Sequence, residues 1–283
     1  MKKLIILIAA GLTVAPVIFM FTNSFMGAVE ASARYTSQIT PYNIFGVIDG
    51  NIHFMDVGFL PNLISITSWR QILIENPTYL RFLWNSLILT IPIVLGQLVI
   101  APLAAYAFER LQTRHKEKLY FMYIIIMLLP MQAVLVPHFI AARFMGIQGN
   151  YLAIILPAVF APLGVFLIRQ QMKGFEKEVM EAAEVDGAGE FKIFLRIVLP
   201  NIKPAMTALA VLAFAESWNI IDQAIVFIHN RYELPMSAYL STSQFQNIGL
   251  AFALSSLFMI PALIVFIYGQ DNLSEGIGYT GQK

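Results

Sequence analysis

Glu216, Asn219, Asp222 and Gln223 fall within eight positions of an otherwise apolar stretch that runs from Ala205 to Ile228. Carboxylates and carboxamides exchange hydrogen bonds with hydroxyl groups, and an indole such as that of Trp218 offers a flat apolar face for stacking. Ionisable groups inside an apolar segment of this length are costly and usually face a bundle interior or a water-filled path. On a continuous helix at about 100° per residue, Glu216, Asn219 and Gln223 share one stripe and Asp222 lies beside it. The stripe is therefore expected to line a path for a polar solute. A competing structural reading makes Trp218-Asn219 a helix–helix contact and gives Asp222 a neighbouring backbone partner. Acid–base chemistry fits poorly, because Glu216 and Asp222 are separated by about 9 Å along a helix axis and lie on different faces. His53, His115, His138 and His229 are scattered, the chain has no cysteine, and HExxH, GxSxG and GxGxxG do not occur. Thiolate catalysis, disulfides and Cys-ligated metals are excluded, and no enzyme is expected.

The elements that must position these groups follow from composition. Of 283 residues, 58% are hydrophobic and 12% charged, against about 25% charged in soluble domains. A helix needs about 20 mostly apolar residues to span a bilayer. Six segments qualify: Leu4 to Phe21, Phe82 to Phe108, Leu119 to Ile140, Tyr151 to Ile168, Ala205 to Ile228, and Gly249 to Tyr268. The expected fold is an all-α polytopic membrane bundle of six spans. Lys2-Lys3 and Ala31-Ser32-Ala33 would also suit a cleaved signal peptide, but an apolar core of about 18 residues exceeds the usual 7–15. With the N-terminus in the cytoplasm, thirteen Lys and Arg fall on that side. Only Arg34, Arg70, Arg81, Arg143 and Arg231 fall on the other, so both termini are expected to be cytoplasmic. The net charge of +1 gives no reason to expect a nucleic-acid partner. Thr67 to Leu83 reads as a short interfacial helix, with Trp69, Tyr79 and Trp84 at headgroup level.

Between the fourth and fifth segments, Arg169 to Lys203 has no spanning run. Phe175 to Val185 fits a short amphipathic helix, with Phe175, Val179, Ala182 and Ala183 towards one side. Glu176, Lys177, Glu178, Glu181 and Glu184 then project towards water or a partner. Gly187 suits a helix C-terminus because it adopts positive φ without a Cβ clash. A second helix from Glu190 to Leu199 would bury Phe191, Phe194, Ile197 and Val198, with Pro200 and Pro204 ending it. The outcome is a compact knob beneath the spans, or else an ordinary solvated loop.

The order E-A-A, D-G-A, I-x-L-P in this loop decides between the two. Glu181, Ala182, Ala183, Asp186, Gly187, Ala188, Ile197, Leu199 and Pro200 resemble the coupling loop of the membrane-spanning subunits of bacterial ABC importers. Pro204-Ala205 and Trp218-Asn219 are similar to the carbohydrate-uptake branch. The resemblance implies a permease subunit of the bacterial plasma membrane whose knob is gripped by a separate ATPase. That ATPase would bind ATP and magnesium; this chain has no GxxxxGK[ST] loop and no cofactor of its own. The implied partners are a second permease subunit, two ATPase copies, an external solute-binding protein, membrane lipid and a carbohydrate substrate. Residues 1–66 would hold the first span and an external segment, 67–270 the transport domain with its loop at 169–204, and 271–283 a frayed tail. A permease for another small solute remains open because the knob reports the engine and not the cargo. A passive channel would need no such knob.

Overall fold

Backbone N–H and C=O groups in hydrocarbon must be satisfied within the segment, so the long apolar runs form helices. The computed structural model describes residues 2–36, 47–48, 51–52, 58–110, 114–173, 177–245 and 247–278. In chain order the principal helices are α1 (Lys2–Asn23), α2 (Thr78–Arg110), α3 (Lys116–Met127), α4 (Met131–Phe144), α5 (Leu152–Val159), α6 (Pro162–Lys173), α7 (Lys177–Val185), α8 (Glu190–Asn201), α9 (Lys203–Trp218), α10 (Asp222–Phe227), α11 (Met236–Thr242) and α12 (Ile248–Gly278). Extended pairing among the described residues is limited to a two-residue ladder, Val47–Ile48 with Asn51–Ile52, and a bridge between Met26 and Ile64. Among the described residues four helical stretches are long and apolar enough to cross a membrane, or up to six if each of two bent pairs counts as one span.

Two expected spans are broken. The third bends by 104° between α3 and α4, where Pro130 takes an extended conformation (φ −63°, ψ 141°) ahead of α4. Proline lacks the N–H that would continue the ladder, and its ring clashes with the preceding turn. The fifth is interrupted after Trp218. Asn219 leaves helical geometry (φ −97°, ψ 20°) and helix resumes only at Asp222. No proline or glycine stands there; the Asn219 side chain bonds back to the Ala215 carbonyl at 2.9 Å, the local competition that unsettles helix ends. The expected frayed tail is instead helical through Gly278.

The chain divides into two compact units. The first comprises residues 1–84 and 236–260. Its core joins Ile72, Phe82, Met236, Leu250, Ala253 and Leu254, with Phe82 stacked on Tyr239 at 4.1 Å. The Glu30 carboxylate pairs with Arg34 at 2.9 Å and accepts from the Asn62 and Leu63 N–H groups. Those bonds fasten the segment after α1 to residues 58–66. Trp69 donates its indole N–H to Ser24 Oγ at 3.1 Å. The outward apolar side chains of α1 (Leu7 is 72% exposed) suit a lipid-facing span.

The second unit comprises residues 85–235 and 261–283. Ala101 and Ala105 of α2, Ile168 of α6 and Ala205, Leu209 and Ala213 of α9 share its core with Ile193, Phe194 and Val198 of α8. Small residues permit close approach between membrane helices. At Gly96 of α2 an added Cβ would lie 2.5 Å from Val159 Cγ2. Two polar clusters mark the ends of this unit. In one, Asn85 Nδ2 donates to the Tyr232 and Leu234 carbonyls at 2.9 and 3.0 Å, and the Tyr151 hydroxyl donates to the Glu233 carbonyl at 2.7 Å. In the other, the buried Arg169 guanidinium reaches Glu117 at 2.7 Å and Glu109 at 3.4 Å, and lies 3.9 Å above the Tyr120 ring.

Candidate functional site

The loop between α6 and α9 folds as two helices joined by a glycine turn. At the end of α7 the Ala188 N–H reaches the Ala183 carbonyl, and the Gly187 N–H reaches the Glu184 carbonyl, both at 2.9 Å. This is the double bond pattern that closes a helix on a left-handed residue, and Gly187 has φ +80°. Gly189 then returns to extended geometry (φ −70°, ψ 157°) and starts α8. The motif residues divide by direction. Ala183 and Ala188 pack against the core with the buried Met180, and Ile197 and Leu199 do the same from the second helix. Glu181, Ala182, Asp186 and Gly187 face outward.

Several expectations are corrected here. The inward face of α7 is Met180 and Ala183, while Val179 and Ala182 are exposed. Phe175, Glu176 and the side chains of Lys177 and Glu178 lie outside the described residues. Phe191, expected to be buried, is 71% exposed, and Ile193 is buried in its place. A π-helical turn over Phe194–Val198 takes an extra residue per turn, so the stripe set by Ile197 and Val198 continues back to Ile193. Pro200 does not end the second helix. It sits in the second position of a last helical turn, Leu199–Asn201, among the first-turn positions where a missing N–H is tolerated. The chain breaks at Ile202 (φ −94°, ψ 9°), and α9 follows after a bend of 74° with Pro204 in its first turn.

A cation missed by sequence reasoning anchors the knob. Arg110, the last residue of α2, pairs with Glu184 at the end of α7 and with Glu190 at the start of α8, the latter at 2.6 Å. Tyr106, one turn earlier, donates to the same Glu190 carboxylate. The Arg110 guanidinium, and then the Tyr106 hydroxyl, hold the Glu190 carboxyl below the usual carboxylate range. A depressed carboxylate strengthens its contacts above the ordinary carboxylate pKa and loses them as pH falls through the lowered value. At neutral pH the anchor is fully formed. The signal was present as an Arg next to the expected end of the second span, but nothing in spacing alone selects its partner.

The residues of the fifth segment are only partly brought together. Glu216, Asn219 and Asp222 are exposed and Gln223 is half-buried, but the break after Trp218 prevents them from forming one helical stripe. Trp218 is 1% exposed and stacks on Phe214, with ring centroids 5.2 Å apart and planes at 16°. Its face is occupied by the protein itself, so the expectation of a free stacking platform is not met. Asp222 instead accepts from Gln132 Nε2 at 3.2 Å, and Gln223 Nε2 lies 3.2 Å from Met131 Sδ. The breaks of the third and fifth segments therefore meet side by side, and the polar Gln132 joins the set. A glutamine two residues after Pro130 in an apolar run was its only sequence signal.

Residues 83–279 match the family described as "Binding-protein-dependent transport system inner membrane component". The arabinooligosaccharides transport system permease protein AraQ of Halalkalibacterium halodurans is 30% identical over 228 residues, covering 80% of this chain and 82% of that protein. The osmoprotective compounds uptake permease protein GgtD of Synechocystis is 31% identical over 199 residues, or 68% of this chain and 67% of its own. The fold is shared with a chain in the crystal structure of a bacterial ABC transporter involved in the import of the acidic polysaccharide alginate. The TM-score there is 0.75 at 20% identity, covering 95% of this chain and 94% of that one.

Proposed function

Since the chain belongs to the binding-protein-dependent transport system inner membrane component family, whose members are transport subunits and not enzymes, we propose that it is a permease subunit of a carbohydrate ABC importer. It forms half of the translocation path and takes its energy from a separate ATPase. The observation that carries this reading is the knob: a glycine-closed pair of short helices that buries Ala183 and Ala188 while presenting Glu181, Ala182 and Asp186 outward. A short helix seated in a partner's socket transmits closure of two ATPase subunits to the spans as a lever does. A passive channel has no use for such a surface. Residues 67–270 form the transport domain, residues 1–66 add the first span and an external segment, and residues 271–283 follow the last span on the cytoplasmic side. The remaining partners are a second permease subunit and an external solute-binding protein.

Carbohydrate is the cargo favoured by the arabinooligosaccharide name of one relative and by the exposed Glu216, Asn219 and Asp222, which suit hydroxyl groups. A small non-sugar solute is the second reading, favoured by the relative named for osmoprotective compounds.

Purification of the detergent-solubilised chain from its native membrane tests the engine. The unmodified chain brings down an ATPase and a second permease, whereas Glu181→Lys or Gly187→Pro lowers the ATPase recovered by about tenfold, equivalent to about 1.4 kcal/mol of binding. A chain that purifies alone, or that keeps its partners after both substitutions, overturns the reading. For the path, Glu216→Gln and Asn219→Ala are each expected to lower transport by about tenfold, the loss that accompanies one missing hydrogen bond of about 1.4 kcal/mol. Unchanged affinity and rate in both would remove these two residues from the path.

A further inference from the structure

We propose that Arg110 is a positioning residue for energy coupling: it holds the two helices of the knob at a fixed angle to the cytoplasmic end of α2. This rests on the reading of the knob as the ATPase-docking element. Among the described residues the knob's other ties to the body are apolar, through Met180, Ala183, Ala188, Ile193 and Phe194. Apolar burial is non-directional, so such contacts keep the knob attached without fixing its tilt. A guanidinium is different, because its donors radiate in a planar fork. Arg110 uses that fork on both sides of the Gly187 turn, meeting Glu184 on α7 and Glu190 on α8, and its Nε lies 3.2 Å from each Glu190 oxygen. Tyr106 grips the same carboxylate. Three elements thus meet at one cation.

The magnitudes separate positioning from stability. The side chains of Arg110, Glu184 and Glu190 are 25%, 41% and 59% exposed. Ion pairs that wet contribute little to folding, so the cluster has little to do with holding the chain together. What it supplies is geometry. The next residue back, Glu109, points its carboxylate to Arg169 of α6, which in turn holds Glu117 of α3. A displacement of the knob therefore reaches α2 through Arg110, and the ends of α3 and α6 through the neighbouring residue.

The test uses the assembled transporter with cysteine-free partners. The chain has no cysteine, so spin labels go uniquely on Lys192→Cys in α8 and Leu103→Cys in α2, both exposed. With Arg110 intact the interlabel distance is expected to be a single narrow peak that stays in place when a non-hydrolysable ATP analogue is added. Arg110→Gln is expected to broaden that peak and make it shift with nucleotide, while the ATPase still co-purifies. Combining Arg110→Glu with Glu190→Arg restores one of the two pairs and narrows the peak again. Should Arg110→Gln fail to accumulate, Glu190→Gln, which leaves Glu184 on the fork, gives the same broadening to a smaller extent. An unchanged peak in the neutralised variants, or a double exchange that rescues nothing, overturns the proposal. Failure of the unmodified chain to bring an ATPase at all would instead refute the docking reading beneath it.

Discussion

Replacing Arg169 with leucine is expected to lower the stability of the solubilised chain by about 3 kcal/mol, the low end of the range for breaking a buried ion pair from one side. Arg169 has a side chain only 2% exposed and neutralises Glu109, itself 13% exposed, as well as the more open Glu117. Glu117 can turn to water when its partner is lost, which keeps the penalty at the lower end. Glu109 cannot, and an uncompensated carboxylate in a site of low polarity carries the loss. The Tyr120 ring below the guanidinium adds a cation–π contact that leucine does not replace. Thermal unfolding in detergent reads the effect. Adding Glu109→Gln to Arg169→Leu should return part of the lost midpoint, because the stranded charge is then gone. A midpoint that does not move in Arg169→Leu would mean that the carboxylates reach water freely. Arg169→Lys should rescue little, since an ammonium cannot stack on the ring and bridge two carboxylates at once.

Gly96→Val should follow closely, at about 3 kcal/mol, the upper part of the usual range for overpacking. A Cβ at this position meets Val159 Cγ2 at 2.5 Å and Cγ1 at 2.8 Å, and the β-branched neighbour is stiff about χ1. Any gain in helix propensity over glycine is below about 1 kcal/mol, too small to reverse the sign. Val159→Ala in the same chain opens the space, so the double variant is expected to be more stable than Gly96→Val alone. Additive losses in that cycle would show that the crowding lies elsewhere.

The spans, the knob and the glycine turn were legible because each has a one-dimensional signature: apolar length, charge punctuation, and Gly187 at the foot of an amphipathic run. The partners of charges were not. Arg110 and Arg169 looked alike as cations counted towards the cytoplasmic face, yet one grips Glu184 and Glu190 and the other is buried over Tyr120. Such pairings depend on which helix ends converge in space, and sequence separation does not encode that. The break at Asn219 was missed because a polar side chain bonding its own backbone leaves no glycine or proline mark. That break also undid the helical-stripe argument for Glu216, Asn219 and Gln223. Phe191 was misplaced because a π-helical turn shifts the period by one residue, and a regular 3.6-residue template cannot register the shift.

The two polar clusters at the ends of the second unit fix where the broken segments begin and end. Asn85 and Glu109 are 24 residues apart on one helix, roughly 36 Å at 1.5 Å per residue, more than the roughly 30 Å of hydrocarbon between the two faces of a bilayer. Tyr151 belongs to the cluster of Asn85, and Arg169 to that of Glu109. The chain leaves the Arg169 cluster at Glu117 and reaches the Asn85 cluster at Tyr151, so α3 and α4 together lead from one end of α2 towards the other. The same reasoning carries α9 and α10, across their break, from the face of Arg110 and Glu190 to the face of Tyr232. Each broken segment thus leads from one polar cluster to the other, whatever the angle at its middle.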